Sequence, residues 1–181
     1  MWLSFFIIST ICSPRFSPEK TSSNDTNGLQ FDSTKIKVAS TFKDIHLIKQ
    51  TLDYIENEAN KAKLINQVQN ENDRLNLVNL ITIEWEWVRL EVLKTITDDT
   101  LKVSALTLLT RDNYKAQIIS TISDENVRYS LLSQIADDSE KAKIIETFGE
   151  NFKIKAIELL RSDNLKYNII EKISDGNTKL S

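Results

Sequence analysis

The chain has 181 residues, with 23 Lys and Arg against 26 Asp and Glu, a formal net charge of −3. That balance lacks the broad excess of base that gripping phosphate requires. A single histidine, a single cysteine and three scattered glycines exclude imidazole metal sites, intramolecular disulfides and glycine-rich phosphate loops.

Trp2 to Ile11 is a mostly apolar run of about ten residues, too short to span a bilayer. It reads as the core of a secretory signal peptide over residues 1–13, with small residues near Cys12 and Ser13 for cleavage and no base ahead of it. Secretion is therefore the expected localisation, with a cytoplasmic chain and a misplaced start as the alternative. No membrane span is expected in the mature chain. Residues 14–40 mix Ser, Pro, Asn, Asp and Thr, with little to bury, and are expected to form a disordered linker. Asn24-Asp25-Thr26 is a glycosylation sequon within it. Cys12 would leave with the signal peptide, so the rest of the chain must stand on packing.

Residues 41–181 are expected to form a helical repeat array. His46 falls on a first, irregular helix, where packing accounts for it better than catalysis. From Lys61 a base returns at a near-constant interval: Lys61, Arg74, Arg89, Lys102, Lys115, Arg128, Lys141, Lys153, Lys166 and Lys179. The interval is thirteen residues, with slips before Arg89 and Lys153. An acid usually stands three residues before the base, and a branched aliphatic pair three and four residues after it. Val103–Asn126 laid over Ile154–Asn177 gives twelve identities in 24 positions, aliphatic and turn residues alike. A fixed period of this kind is the mark of stacked repeats.

The segment Asp112–Ser123 serves as the type unit. Asp112 suits a helix N-cap, and Tyr114, Ile118, Ile119 and Ile122 share one face at helical spacing. Each unit is one short helix that depends on its neighbours. Two make a hairpin of twice thirteen residues, and the hairpins should stack as a right-handed, all-α solenoid. The residue after the base is small in one set (Ala62, Ala116, Ala142) and large in the other (Leu75, Val103, Tyr129, Ile154), with Leu90 and Tyr167 out of pattern. The two sets should therefore occupy different layers, the Ala set outside and the larger set deeper.

The base lies within the apolar arc of its own first turn, where the helix dipole disfavours it. A basic stripe for an anionic ligand is one explanation. The other is a structural ladder, in which the stem covers core and the head meets a recurring acid. The recurrence of the acid selects the ladder, built from Asp112, Lys115, Asp124, Arg128, Asp137, Lys141, Asp163 and Lys166. From Thr41 onward 19 bases face 23 acids, which argues against a nucleic-acid face.

In Ile83-Glu84-Trp85-Glu86-Trp87-Val88-Arg89 the helical wheel puts Trp85 among the apolar residues and Trp87 on the opposite side. Trp87 is thus a candidate partner anchor, as is Tyr129. The alternative is that the two-residue slip turns this helix and buries both indoles.

The pattern in Glu125-Asn126-Val127-Arg128-Tyr129-Ser130-Leu131-Leu132 resembles the HEAT-like repeats. In that family a recurring Asp and Arg form a ladder along a solenoid, and most members are protein-binding scaffolds. The resemblance covers about Phe42 to Ser181. These units are shorter, and the base recurs in both helices of each hairpin. The expected function is a non-enzymatic scaffold for an unidentified protein, with no cofactor, metal or small-molecule substrate. A structural segment of a longer repeat protein is the alternative, because Lys179 falls on the beat and would open one more unit.

Overall fold

A computed structural model describes residues 26–173, with side chains from residue 32 onward. The signal-peptide reading, Asn24 of the sequon and Lys179 lie outside the described residues. Within them the chain is all helical, with no strand. The α-helices are α1 (Thr26–Ala39), α2 (Ile45–Leu52), α3 (Glu58–Ile65), α4 (Glu71–Leu77), α5 (Glu86–Leu93), α6 (Asp99–Ala105), α7 (Asp112–Ile119), α8 (Glu125–Leu131), α9 (Asp138–Glu146), α10 (Glu150–Ile157) and α11 (Asp163–Glu171). None is long and apolar enough to cross a membrane.

The first correction concerns the linker. Residues 26–39 of the expected disordered segment 14–40 form α1, which packs on α2 and α3 and buries Ala39 and Asp32. Its composition reads as a linker because Ser, Thr and Lys occupy its exposed face. The apolar positions that anchor it are few.

The helices are short because polar capping residues recur so closely. Asn57, Asn70, Asp98, Asp124 and Asp137 each stand immediately before a helix and accept an amide of its first turn. Each lies four residues before a phased base. At the same position Arg111, Gly149 and Ser162 make no side-chain cap bond. Arg111, not Asp112, therefore occupies the N-cap of α7, and Asp112 is its first helical residue.

The described residues form two compact units, divided between Val88 and Arg89. In the first, α1 touches α2 and α3. In the second, α9 touches α7, α10 and α11, α8 touches α10, and α6 touches α7. The core of the first unit gathers Leu52, Ile55, Leu64, Ile65, Val78 and Ile81; that of the second gathers Leu93, Ile96, Leu106, Ile118, Ile119, Ile122, Leu132, Ile144 and Ile145.

The alternation in the sequence corresponds to a difference in helix ends. The larger-set helices α4, α6 and α8 each tighten into a 3-10 turn, at Val78–Leu80, Leu106–Leu108 and Leu132–Gln134. The Ala-set helices α3, α7 and α9 have no such tail. The expected depth is not seen at the residue after the base. Ala62, Ala116 and Ala142 are buried, and of the larger set only Leu75 is, whereas Val103, Tyr129 and Ile154 are half-buried. A methyl side chain is required where a helix has neighbours on several sides, as α9 does. Three of the four bulkier residues keep part of their surface in water.

Candidate functional site

The phased base resolves into a three-part device. Six bases pair with the acid three residues earlier on their own helix: Lys35 with Asp32 (3.6 Å), Lys61 with Glu58 (2.9 Å), Arg74 with Glu71 (3.2 Å), Lys102 with Asp99 (2.9 Å), Arg128 with Glu125 (3.3 Å) and Lys141 with Asp138 (3.5 Å). Several base heads also donate to a carbonyl 19 residues on: Lys35 to Tyr54, Lys61 to Leu80, Arg89 to Leu108 and Lys102 to Thr121. Those carbonyls lie at the C-terminal end of the following helix. This removes the electrostatic objection to a cation in a first turn. The head is held at the negative end of the next helix, not the positive end of its own.

The acids reach further. The Asp99 carboxylate accepts the Ser123 amide at 2.8 Å, Asp112 accepts those of Ala136 (2.7 Å) and Asp137 (2.8 Å), and Glu125 accepts that of Gly149 (2.6 Å). Asp138 accepts the amides of Arg161 (2.6 Å) and Ser162 (3.0 Å), and in the first unit Asp32 accepts that of Asn57 at 3.4 Å. Every separation is 23 to 25 residues, so each acid holds the loop that leads into the helix after next. A carboxylate on backbone amides is a charge-assisted bond. The hydrogen bond from Lys102, with the Ser123 amide, holds the Asp99 carboxyl below its ordinary value. For Asp138 burial pushes upward, but the Arg161 and Ser162 amides and the Lys141 charge outweigh it, and the net shift is down.

The ladder residues expected from sequence fall into distinct positions. Asp124 and Asp137 are N-caps; Asp112 and Asp163 open their helices. Arg128 and Lys141 pair as described, their partners being Glu125 and Asp138, which the sequence reading left out. The Arg128 guanidinium also stacks 5.1 Å from the Phe148 ring centroid. Lys115 is half-buried with no ion pair among the described residues, because Asp112 turns to its two amides. Lys166 meets Asp163 at 3.5 Å, but the Asp163 side chain is 94% exposed. Asp32 and Lys35 were missed altogether. Lys35 lies twice thirteen residues before Lys61, and the signal was hidden because Ile48 occupies the beat between them.

Trp87 is 47% exposed, and so is Trp85, with ring centroids 6.1 Å apart. Trp87 is exposed as the wheel expects, but Trp85 is not among the buried residues, and the alternative that buries both indoles does not hold. Trp85 ends a 3-10 turn, Ile83–Trp85, ahead of α5, so a wheel for that helix does not apply to it. Ile83 is also exposed, while Val88, Leu90, Val92 and Leu93 bury the opposite side of α5. In the second unit Tyr129 packs edge-on to Phe152 at 6.4 Å, and the Lys155 ammonium stands 4.6 Å from its ring centroid. Among the described residues no three His, Cys, Asp or Glu side chains are grouped to hold a metal.

Searches of protein-family models, of curated proteins and of solved structures find no match to this chain.

Proposed function

We propose that this chain is a non-enzymatic scaffold for protein–protein interaction, an α-solenoid of HEAT-like short repeats that presents aromatic anchors to a partner. The observation that carries the reading is the exposed cluster of Ile83, Trp85 and Trp87. Two indoles left half in water forgo burial worth roughly 1.5–3 kcal/mol for a large apolar side chain. Trp is also the residue most enriched among binding hot spots. The ladder supports the same reading, because most of its described bases are occupied by acids and carbonyls of their own unit. The repeated bonds to helix n+1 and to the loop before helix n+2 support a stacked, hairpin-by-hairpin arrangement.

A photo-crosslinking residue tests the proposal in the cells that make the protein. Benzoylphenylalanine at position 87 is expected to give a discrete protein adduct that the exposed control position Lys143 does not. Matching adduct patterns from the two positions, or none from position 87, would overturn it.

A further inference from the structure

The exposed indoles stand in a stretch of chain that has no base. Residues 75–88 contain no Lys or Arg but hold Glu84 and Glu86, and Glu84 lies directly between Ile83 and Trp85. Glu86 is buried, whereas Glu84 is exposed and its carboxylate has no hydrogen-bond or ion-pair partner among the described residues. The flanking bases are turned elsewhere. Arg74 meets Glu71 at 3.2 Å and donates to the Val68 carbonyl, and Arg89 is buried and donates to the Leu108 carbonyl. The patch therefore combines two indoles, an isoleucine and one uncompensated negative charge.

That charge decides what can cover the indoles. A wholly apolar surface laid over Trp85 and Trp87 would also strip water from Glu84. A desolvated, unpaired carboxylate cancels much of what burying the two rings returns. A partner that brings a cation turns the same penalty into a charge-assisted bond. The indole faces favour that cation too, because Trp is the strongest of the cation–π rings. The molecule already holds one guanidinium in this way: Arg128 lies 5.1 Å from the Phe148 ring centroid and 3.3 Å from Glu125. The Trp85 and Trp87 rings, 6.1 Å apart and inclined at 57°, offer ring and neighbouring carboxylate without a base of their own.

We propose that the Ile83–Trp87 patch docks an arginine-bearing segment of a partner protein. The guanidinium stacks on an indole and its fork meets the Glu84 carboxylate, while an apolar residue beside that arginine covers Ile83. Arginine suits the patch better than lysine, because one planar group stacks on a ring and bonds a carboxylate at once. The inference rests on the reading of these indoles as the partner-facing surface and adds the chemistry of what they face.

A blocked Leu-Arg dipeptide, with Leu-citrulline as its uncharged isostere, tests the patch by titration of the indole N–H resonances of the full chain. The Trp85 and Trp87 signals are expected to move with Leu-Arg and to stay in place with Leu-citrulline. Glu84→Gln should weaken Leu-Arg about threefold, the scale of an exposed ion pair. The substitution is at an exposed side chain, and unaltered amide resonances elsewhere confirm that the variant folds. In cells, Glu84→Arg should largely abolish the adduct from position 87. Equal movement with both dipeptides, no movement with Leu-Arg, or unchanged affinity in Glu84→Gln would overturn the proposal. An adduct at position 87 that survives Glu84→Arg undiminished overturns it while the scaffold reading stands; no adduct at position 87 without that substitution overturns both.

Discussion

Asp112 and Asp163 are the same residue type at the same helical position, and their surroundings set them apart. Asp112 holds two amides of the loop before α9, while the Asp163 side chain is 94% exposed. Asp112→Ala should destabilise the fold by about 1–3 kcal/mol, the scale of an abandoned charged hydrogen bond. Asp163→Ala should change stability by no more than about 0.5 kcal/mol, as surface substitutions do. Chemical denaturation of the two variants makes the comparison, and equal losses would remove the ladder as an energetic feature. Arg128 supplies the second prediction. Its stem covers core and its head meets Glu125 and the Phe148 ring. Arg128→Met keeps the packing and gives up only a weak ion pair and a cation–π contact. Arg128→Asp sets a second carboxylate beside Glu125, so a clearly lower thermal midpoint is expected for Asp than for Met. The sequence showed that the base needed an acid. It did not show the carbonyl 19 residues on, because that contact exists only once two helices lie side by side.

At the level of the helix, caps and termini decide where each element begins. Asp124 accepts the amides of Asn126 and Val127, whereas Ser162 makes no such bond at the start of α11. Asp124→Ala should therefore cost about 1 kcal/mol and Ser162→Ala a few tenths, read as shifts in the denaturation midpoint. Five helices begin at an Asx residue four before a base, one position ahead of the cap that the sequence suggested at Asp112. The failures share a cause as well. A helical wheel assumes a continuous helix, and at Trp85 the chain is still in a 3-10 turn. The depth at the residue after the base was misjudged because small residues were read as surface residues, when they mark the tightest packing. Helix α1 escaped notice because one isoleucine at position 48 interrupts the count.

For the molecule as a whole, the ladder makes acid the natural denaturant. Asp99 and Asp138 both have carboxyls held below the ordinary value of 3.8. A depressed folded-state value means that their stabilisation is complete above the ordinary value and is lost as pH falls through the depressed one. The thermal midpoint should thus be level from neutrality to about pH 5 as far as these groups are concerned, then fall on further acidification. Asp99→Asn with Asp138→Asn should lower the neutral plateau and flatten the acid limb. An unchanged acid limb in the double variant would assign the acid sensitivity to other carboxylates.

The side-chain hydrogen bonds between helices also have a narrow reach along the chain. The longest described, from Asn60 to Asp32, joins residues 28 apart. No distant segments need to find one another before the first favourable bond forms, so the entropic barrier to closing loops stays low throughout. Proteins with contacts this local fold in microseconds to milliseconds. Refolding should be fast and without a slow phase, and nucleation can begin at any capped helix and spread to its two neighbours. For a chain of this construction, time spent half-folded, with its isoleucines exposed to other chains, is brief.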